Sequence, residues 1–181
     1  GLKSQSYSLG GIDMDLEGEM RPGHFDGVCT VVHKLLDLTK ADIAYFGEKD
    51  VQQLCVVTKM AKTLQLPVVI KGCPTIRESD GLAKSSRNEL LTTQDRQSAG
   101  NIYKAMMTAK KNYSQKTLLE TISQVKNDFL SMPNSKIDYV EIVHAADLRL
   151  LTAKDKNQPA LLVVALFLGE VRLIDNVNLN E

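Results

Sequence analysis

The sequence predicts an α/β unit followed by a smaller α+β unit with an antiparallel sheet. Three observations carry that expectation. An apolar run over residues 41–46, a helical pattern from about Asp50 to Gln65 and a second apolar run over residues 68–70 follow one another at the spacing of a βαβ crossover. After Pro74 the pattern changes to a polar loop, two amphipathic helical stretches and three β-rich stretches, the order of an α+β unit. The change falls at Pro74-Thr75, so domains are expected over residues 1–74 and 75–181.

Residues 1–16 are weakly patterned. Residues 7–9 read as a short strand and Gly10-Gly11 as a turn. Residues 17–27, with Pro22-Gly23 and spaced glycines, read as an ordered loop. Asp26 is placed to cap a helix over residues 27–39. In that helix Val28, Val31, Val32, Leu35 and Leu36 recur at helical spacing and are expected on the buried face. Val51, Leu54, Cys55, Thr58, Ala61 and Leu64 mark one face of the crossover helix, which Pro67 stops. Two parallel strands alone make a poor sheet, because such strands need both faces covered and neighbours on their edges. The sheet is therefore expected to be part of a larger one.

In the second half, residues 77–88 read as a polar, glycine-containing loop. Thr92 and Asp95 stand at capping-box spacing. Ala99, Ile102, Tyr103 and Met106 then line one helical face to about Asn112. Ser114 is placed to cap the next helix, which buries Leu118, Ile122, Val125 and Phe129 and is ended by Pro133. Residues 137–143, 160–168 and 171–174 read as strands, with Gly169-Glu170 as a two-residue hairpin turn.

Composition narrows the function. The chain has 181 residues, of which 43% are hydrophobic and 24% charged, so it is expected to be globular. Formal net charge is zero and no basic stripe appears, which disfavours a nucleic-acid partner. No apolar stretch reaches membrane length. Cys29, Cys55 and Cys73 lie in apolar runs without metal-ligand spacing and read as reduced core residues of a cytoplasmic protein. His24, His33 and His144 are scattered, so no metal centre is expected, and His33 and His144 read as structural or surface residues. No signal peptide is visible. The opening Gly1-Leu2-Lys3, without a methionine, is expected to lie inside a longer gene product.

Two stretches carry candidate chemistry. In Ile43-Ala44-Tyr45-Phe46-Gly47-Glu48-Lys49-Asp50 an apolar strand ends at glycine, charged residues follow and a helix opens. Open α/β sheets present ligand-binding groups in this way, at the carboxyl end of a parallel strand. Asp80-Gly81-Leu82-Ala83-Lys84-Ser85-Ser86-Arg87-Asn88 is a turn that carries hydroxyls and cations together. The pair suggests an ATP site shared by a rigid strand end and a mobile loop. By spacing alone, the first reads sooner as a strand-to-helix turn with acids at the helix amino end, and by composition the second sooner as a solvated surface turn.

Four blocks in order resemble the pantothenate synthetase, or pantoate–β-alanine ligase, family. They are Glu17-Gly18-x-x-Arg21-Pro22-Gly23-His24-Phe25-x-Gly27-Val28, Phe46-Gly47-Glu48-Lys49-Asp50-x-Gln52-Gln53-Leu54, Asp80-Gly81-Leu82-Ala83-x-Ser85-Ser86-Arg87-Asn88 and Arg172-Leu173-Ile174-Asp175-Asn176. The resemblance implies a Rossmann-like nucleotidyltransferase domain with a hinged carboxy-terminal lid, usually dimeric. It implies joining of pantoate to β-alanine with ATP and magnesium, through pantoyl adenylate.

The resemblance also implies residue roles. Gly47, Glu48, Lys49 and Asp50 match the ATP-binding loop, with Lys49 at the α-phosphate and Asp50 at the ribose hydroxyls. Ile76 matches a position whose backbone meets adenine. Lys84, Ser85, Ser86 and Arg87 match the mobile phosphate loop. Lys84 stands where the family usually has an apolar residue, and either adds a cation beside the phosphates or points to solvent. Lys49, Ser85, Ser86 and Arg87 form the implied catalytic set. Gln53, Val31 and Val32 match the pantoate site, the valines as an apolar wall that ordinary helix core would equally explain. Arg21 is expected near the site or a dimer contact.

The family's amino-terminal segment, with paired histidines and a pantoate-binding glutamine, has no counterpart here, and His24 does not replace it. The chain is expected to correspond to a remnant of the Rossmann-like half plus the lid, and to have little synthetase activity alone. Two alternatives stand beside this reading: another adenylate-forming enzyme of the same superfamily, and a non-catalytic lid and dimerisation module.

Overall fold

A computed structural model describes residues 3–180. The chain divides into two compact units, Gly1–Pro74 and Thr75–Glu181. The first contains α1 (Glu17–Met20), α2 (His24–Thr39), β1 (Ile43–Gly47), α3 (Val51–Thr63) and β2 (Val69–Cys73). β1 and β2 pair in parallel, with Ile43 opposite Val69 and Gly47 opposite Cys73. The expected βαβ arrangement is thus present. Among the described residues this sheet has two strands. Phe46 and Ile70, on one sheet face, pack on a core of Leu9, Phe25, Cys29, Val56, Val57 and Met60. The alternate positions Ile43, Tyr45 and Val69 are 46%, 61% and 62% exposed.

Several local expectations for this unit are corrected. Residues 7–9 form no strand. The backbone N–H groups of Gln5 and Tyr7 are taken by side chains of α2, the Thr30 hydroxyl and the Asp26 carboxylate. The stretch 17–27 is not all loop: it holds α1 and the first turn of α2. Gly23, left-handed at φ 76°, occupies the N-cap of α2, so Asp26 lies one turn in and serves Tyr7 instead. The fully buried positions of α2 are Phe25, Cys29 and Thr30; of the expected residues Val28, Val32 and Leu36 are half-buried against the core, whereas Val31 and Leu35 are exposed. An apolar residue on each side of a helix defeats a face assignment made from spacing alone. In α3 the core positions are Gln52, Val56, Val57, Met60 and Ala61, while Leu64 is exposed. Val51, Leu54, Cys55 and Thr58 flank that face and are only half-buried.

The second unit contains α4 (Thr93–Asn112), α5 (Leu118–Leu130), β3 (Ser135–His144), β4 (Ala160–Leu168) and β5 (Val171–Asn178). The sheet order is β3-β4-β5, antiparallel throughout, and Leu168 faces Val171 across the two-residue turn. Gly169 in that turn has φ +55°, a value glycine tolerates at little cost. Ile102, Met106, Val125 and Phe129 of the helices pack on Val140, Ile142, Leu162, Val164, Leu166 and Leu168. β4 is central, and its residues 160–166 are all buried. β5 alternates buried and half-buried positions, as a strand with two unlike faces must.

Helix starts here follow side-chain chemistry. The Thr92 hydroxyl accepts from Asp95 N at 3.1 Å and donates to Asp95 Oδ2 at 2.7 Å. α5 is capped by Thr117, not Ser114. Thr117 and Glu120 form a reciprocal capping box, and Ser114 lies in the preceding 3-10 turn Tyr113–Gln115. Ser114 lacks a glutamate three residues on, which is what makes the Thr117 box the better start. Among the described residues no helix is long and apolar enough to cross a membrane.

Candidate active site

In the first unit, β1 runs into the 3-10 turn Glu48–Asp50 and then into α3. Gly47, Glu48, Lys49, Asp50 and Gln53 are thereby presented within one short segment. Gly47 has an ordinary φ of −69°, and a Cβ there would meet nothing within 4 Å. Its value is the open space in front of the strand end, not a special conformation. Glu48 folds over β2. A Cβ on Gly72 would come 2.8 Å from Glu48 Oε1 and 3.1 Å from Leu54 Cδ2. Gly72 therefore makes room for the Glu48 and Leu54 side chains. Sequence reasoning passed over it, although a glycine inside a strand signals close approach.

The two adjacent glutamines behave differently. Gln53 is half-buried at the third position of α3. Gln52 is buried, accepts from Glu17 N at 3.0 Å and donates to the carbonyls of Ile12 and Asp15 at 2.8 Å each. A buried amide with these bonds made is a clamp, and it ties the segment before α1 to the first turn of α3. Gly18 is fixed by the same packing, since a Cβ would sit 1.8 Å from the Asp13 carbonyl oxygen. Val31 is 51% exposed, and Val32 packs against the unit's core.

Arg21 and His24 line a cavity of about 370 Å³ with Asp13, Glu19 and Asp26. Partial burial, followed by the Arg21 charge, pushes the His24 imidazole below its usual pKa, while Glu17 and Asp50 oppose the shift. His24 thus lies within electrostatic reach of Asp50. The Cys29 thiol is pushed up to about 12 by burial, then by Asp26 and Asp13, which makes it an unreactive core residue.

In the second unit, residues 76–84 double back as a narrow hairpin. Lys84 N donates to Ile76 O at 2.9 Å and Glu78 N to Leu82 O at 2.8 Å. The turn demands Gly81: its φ is +92°, and a Cβ would lie 2.4 Å from Tyr103 Cδ1. Arg96 anchors Asp80 at 2.5 Å and, as the leading cause, holds its carboxyl below the usual range. Beyond the hairpin, Ser85 Oγ accepts from Arg87 N at 3.2 Å and caps the 3-10 turn Ser86–Leu90. Asn88 Nδ2 donates to Ala83 O at 3.1 Å and closes the segment on itself.

The brace leaves the expected phosphate-loop side chains outward. Ser86 and Arg87 are exposed, and Arg87 reaches back to Arg172 O at 3.3 Å. Lys84 is largely exposed, its Nζ 3.8 Å from Glu78 Oε2. Ile76 is exposed, and its carbonyl accepts from Lys84 N. Residues 172–176 prove to be the structural partner of this loop. Asp175 takes both arms of the Arg77 guanidinium, at 2.6 and 3.0 Å. Arg172 Nε bonds Asp138 Oδ2 at 2.8 Å. Arg77 and Asn88 escaped the sequence reading as loop-shaping residues, because their partners are invisible in a linear pattern.

Comparison with known proteins bears on both units. Residues 5–178 match the family model described as Pantoate-beta-alanine ligase. The chain is 40% identical over 180 residues to a pantothenate synthetase of Christiangramia forsetii, covering 99% of this chain and 64% of that protein. It matches the crystal structure of pantothenate synthetase from Thermus thermophilus with TM-score 0.88 and 38% identity, over 98% of this chain and 63% of that one. It also matches a pantoate-beta-alanine ligase from Francisella tularensis, solved in complex with beta-gamma ATP and beta-alanine. There the TM-score is 0.72 and identity 32%, over 98% of this chain and 58% of that one. The chain thus spans a little under two thirds of the length of these relatives. Fold and comparisons agree on an α/β protein carrying a small antiparallel-sheet unit. The chain belongs to the pantoate-beta-alanine ligase family.

Proposed function

We propose that the protein serves the ATP-dependent condensation of pantoate with β-alanine to pantothenate. Family membership supports the reading, and one observation in this chain carries it: the 80–88 loop is braced from behind while Ser86 and Arg87 face outward. In the proposed reaction a pantoate carboxylate oxygen attacks the α-phosphorus of ATP. The bond to the bridging oxygen breaks and pyrophosphate leaves. The β-alanine amine then attacks the acyl carbon of the anhydride, sheds a proton and expels AMP.

Charge gathers on phosphoryl oxygens in the first step, so pre-positioned donors lower its barrier. We assign Lys49 to the α-phosphate and Ser85, Ser86 and Arg87 to the other phosphate oxygens, where a guanidinium fork suits paired oxygens. Gly47, Glu48 and Asp50 form the shelf for ribose and phosphate, and the Ile76 backbone meets adenine. Lys84, whose Nζ stands 3.8 Å from Glu78 Oε2, adds a cation near the phosphates. Gln53 is assigned to pantoate, and the exposed Val31 side chain suits its methyl groups better than the inward Val32 does. Among the described residues no group of three or more His, Cys, Asp or Glu could hold a metal ion. Magnesium enters this proposal only as the counter-ion carried by the ATP phosphates.

The same reading has the protein act in the cytoplasm as a homodimer. The exposed Leu35 and Leu38 of α2 are surface that such an assembly would cover, and sedimentation equilibrium measures it. The reaction itself is tested by exchange of pyrophosphate into ATP with a panel of carboxylic acids and the full-length protein. Exchange should depend on pantoate, and β-alanine should convert it to AMP release. Exchange driven equally well by unrelated acids, or by none, would sink the proposal.

A further inference from the structure

The geometry points to Arg77 as a positioning residue for the 80–88 loop, a role that rests on the nucleotide reading above. Its guanidinium joins elements that are distant in sequence. Nη1 donates to Gly81 O at 3.1 Å, at the tip of the hairpin, and to Asp175 Oδ2 at 2.6 Å. Nη2 donates to Asp175 Oδ1 at 3.0 Å and to Asn176 O at 3.5 Å. Its carbon stands 3.9 Å from the Tyr103 ring centroid, a stacking contact on α4. The hairpin tip, the edge strand β5 and α4 therefore meet on one side chain. With these bonds committed to protein acceptors, Arg77 acts through the loop and not on a phosphate directly.

The energetics favour a geometric role. The Asp175 side chain is only 3% exposed and that of Arg77 19%. An enclosed ion pair is weak evidence for stability, because desolvation cancels much of the attraction. What a bidentate fork supplies is direction: two parallel bonds fix the plane of the guanidinium, and a lysine ammonium cannot reproduce that. Asp175 is held in turn by Asn176 N at 2.8 Å. The hairpin carries Ile76 at its base and runs on into Lys84, Ser85, Ser86 and Arg87. Setting its tip against β5 and Tyr103 sets where those side chains stand.

The test compares ATP affinity by calorimetry with melting temperature, in the full-length protein. Arg77→Lys keeps the charge and loses the fork. Val125→Ala hollows the core of the same unit, where Val125 is fully buried, and leaves the loop's bonds alone. Arg77→Lys is expected to weaken ATP binding by about tenfold or more, the scale of one well-placed charged hydrogen bond. Val125→Ala should lower the melting temperature at least as much and leave ATP affinity within about twofold. ATP binding unchanged in Arg77→Lys overturns the role. So does an equal loss in Val125→Ala, which would make the effect mere destabilisation. If Arg77→Lys does not fold, Asp175→Asn, which removes the charge but keeps one acceptor, carries the same expectation. Absence of ATP binding by the unaltered protein overturns the nucleotide reading itself, and this role with it.

Discussion

Gly81 shows how much a single position decides. A side chain there meets two penalties at once, a backbone at φ +92° and the edge of Tyr103 at 2.4 Å. Gly81→Ala should therefore destabilise the second unit by about 1–3 kcal/mol, read by urea denaturation. It should also displace the Tyr103 ring on which Arg77 stacks. Lys49 tests the chemistry instead of the fold. Lys49→Met should lower pantoate-dependent pyrophosphate exchange by about 10²-fold, the usual loss when one pre-positioned donor is removed, with the denaturation midpoint measured beside it to show that the protein is folded. A Lys49→Met protein with undiminished exchange would remove Lys49 from the reaction. Gln52 and Gln53 illustrate the limit of reading residues one at a time. They are chemically identical neighbours, and only packing makes one a buried clamp and leaves the other half-exposed.

At the scale of elements, boundaries follow the chemistry of the first turn. Thr117 accepts from Glu120 N at 3.2 Å, while the Glu120 carboxylate accepts from Thr117 N at 2.8 Å. Thr117→Ala should cost about 1 kcal/mol and fray the start of α5, measured by chemical denaturation and by amide exchange at residues 118–121. Ser114→Ala should cost far less, since Ser114 caps nothing. β4 and the β4–β5 hairpin were legible because apolar runs and a Gly-x turn are local signals. The buried face of α2 was legible only in part: Val28, Val32 and Leu36 pack on the core, while Val31 and Leu35 are exposed. Both its sides carry apolar residues, and a periodicity count has no means of choosing between Cys29 and Val31.

At the scale of the whole molecule, acid response is the informative property. In the second unit the Arg96 guanidinium holds the Asp80 carboxyl low, and the Asn134 amide with the Thr92 hydroxyl does the same for Asp95. The Thr117 backbone N–H, with its hydroxyl, lowers Glu120, and the Thr152 hydroxyl leads in lowering Asp155. Each folded-state pKa lies below the unfolded value. Each group therefore adds stability that is complete above the unfolded pKa and is lost as pH falls through the folded one. These four groups make the urea midpoint of this unit decline below about pH 4, while burial raises the Glu141 carboxyl, which works the opposite way and takes stability away as pH rises above its unfolded pKa. Asp95→Asn should flatten part of that decline. A midpoint that stays constant to about pH 2 would show these bonds to be equally present in the unfolded chain.

The sequence by itself determined the order of elements from α2 onward, the division after Pro74 and the loops that place the chain in its family. These depend on neighbours a few residues apart, where side-chain spacing and turn chemistry act directly. Only the tertiary structure decided which glutamine is the clamp, why Gly72 lacks a side chain and how the hairpin tip is held. The last depends on Arg77 meeting Asp175, 98 residues away. Such a meeting is set by strand register and helix packing, and these appear only once the chain has closed on itself.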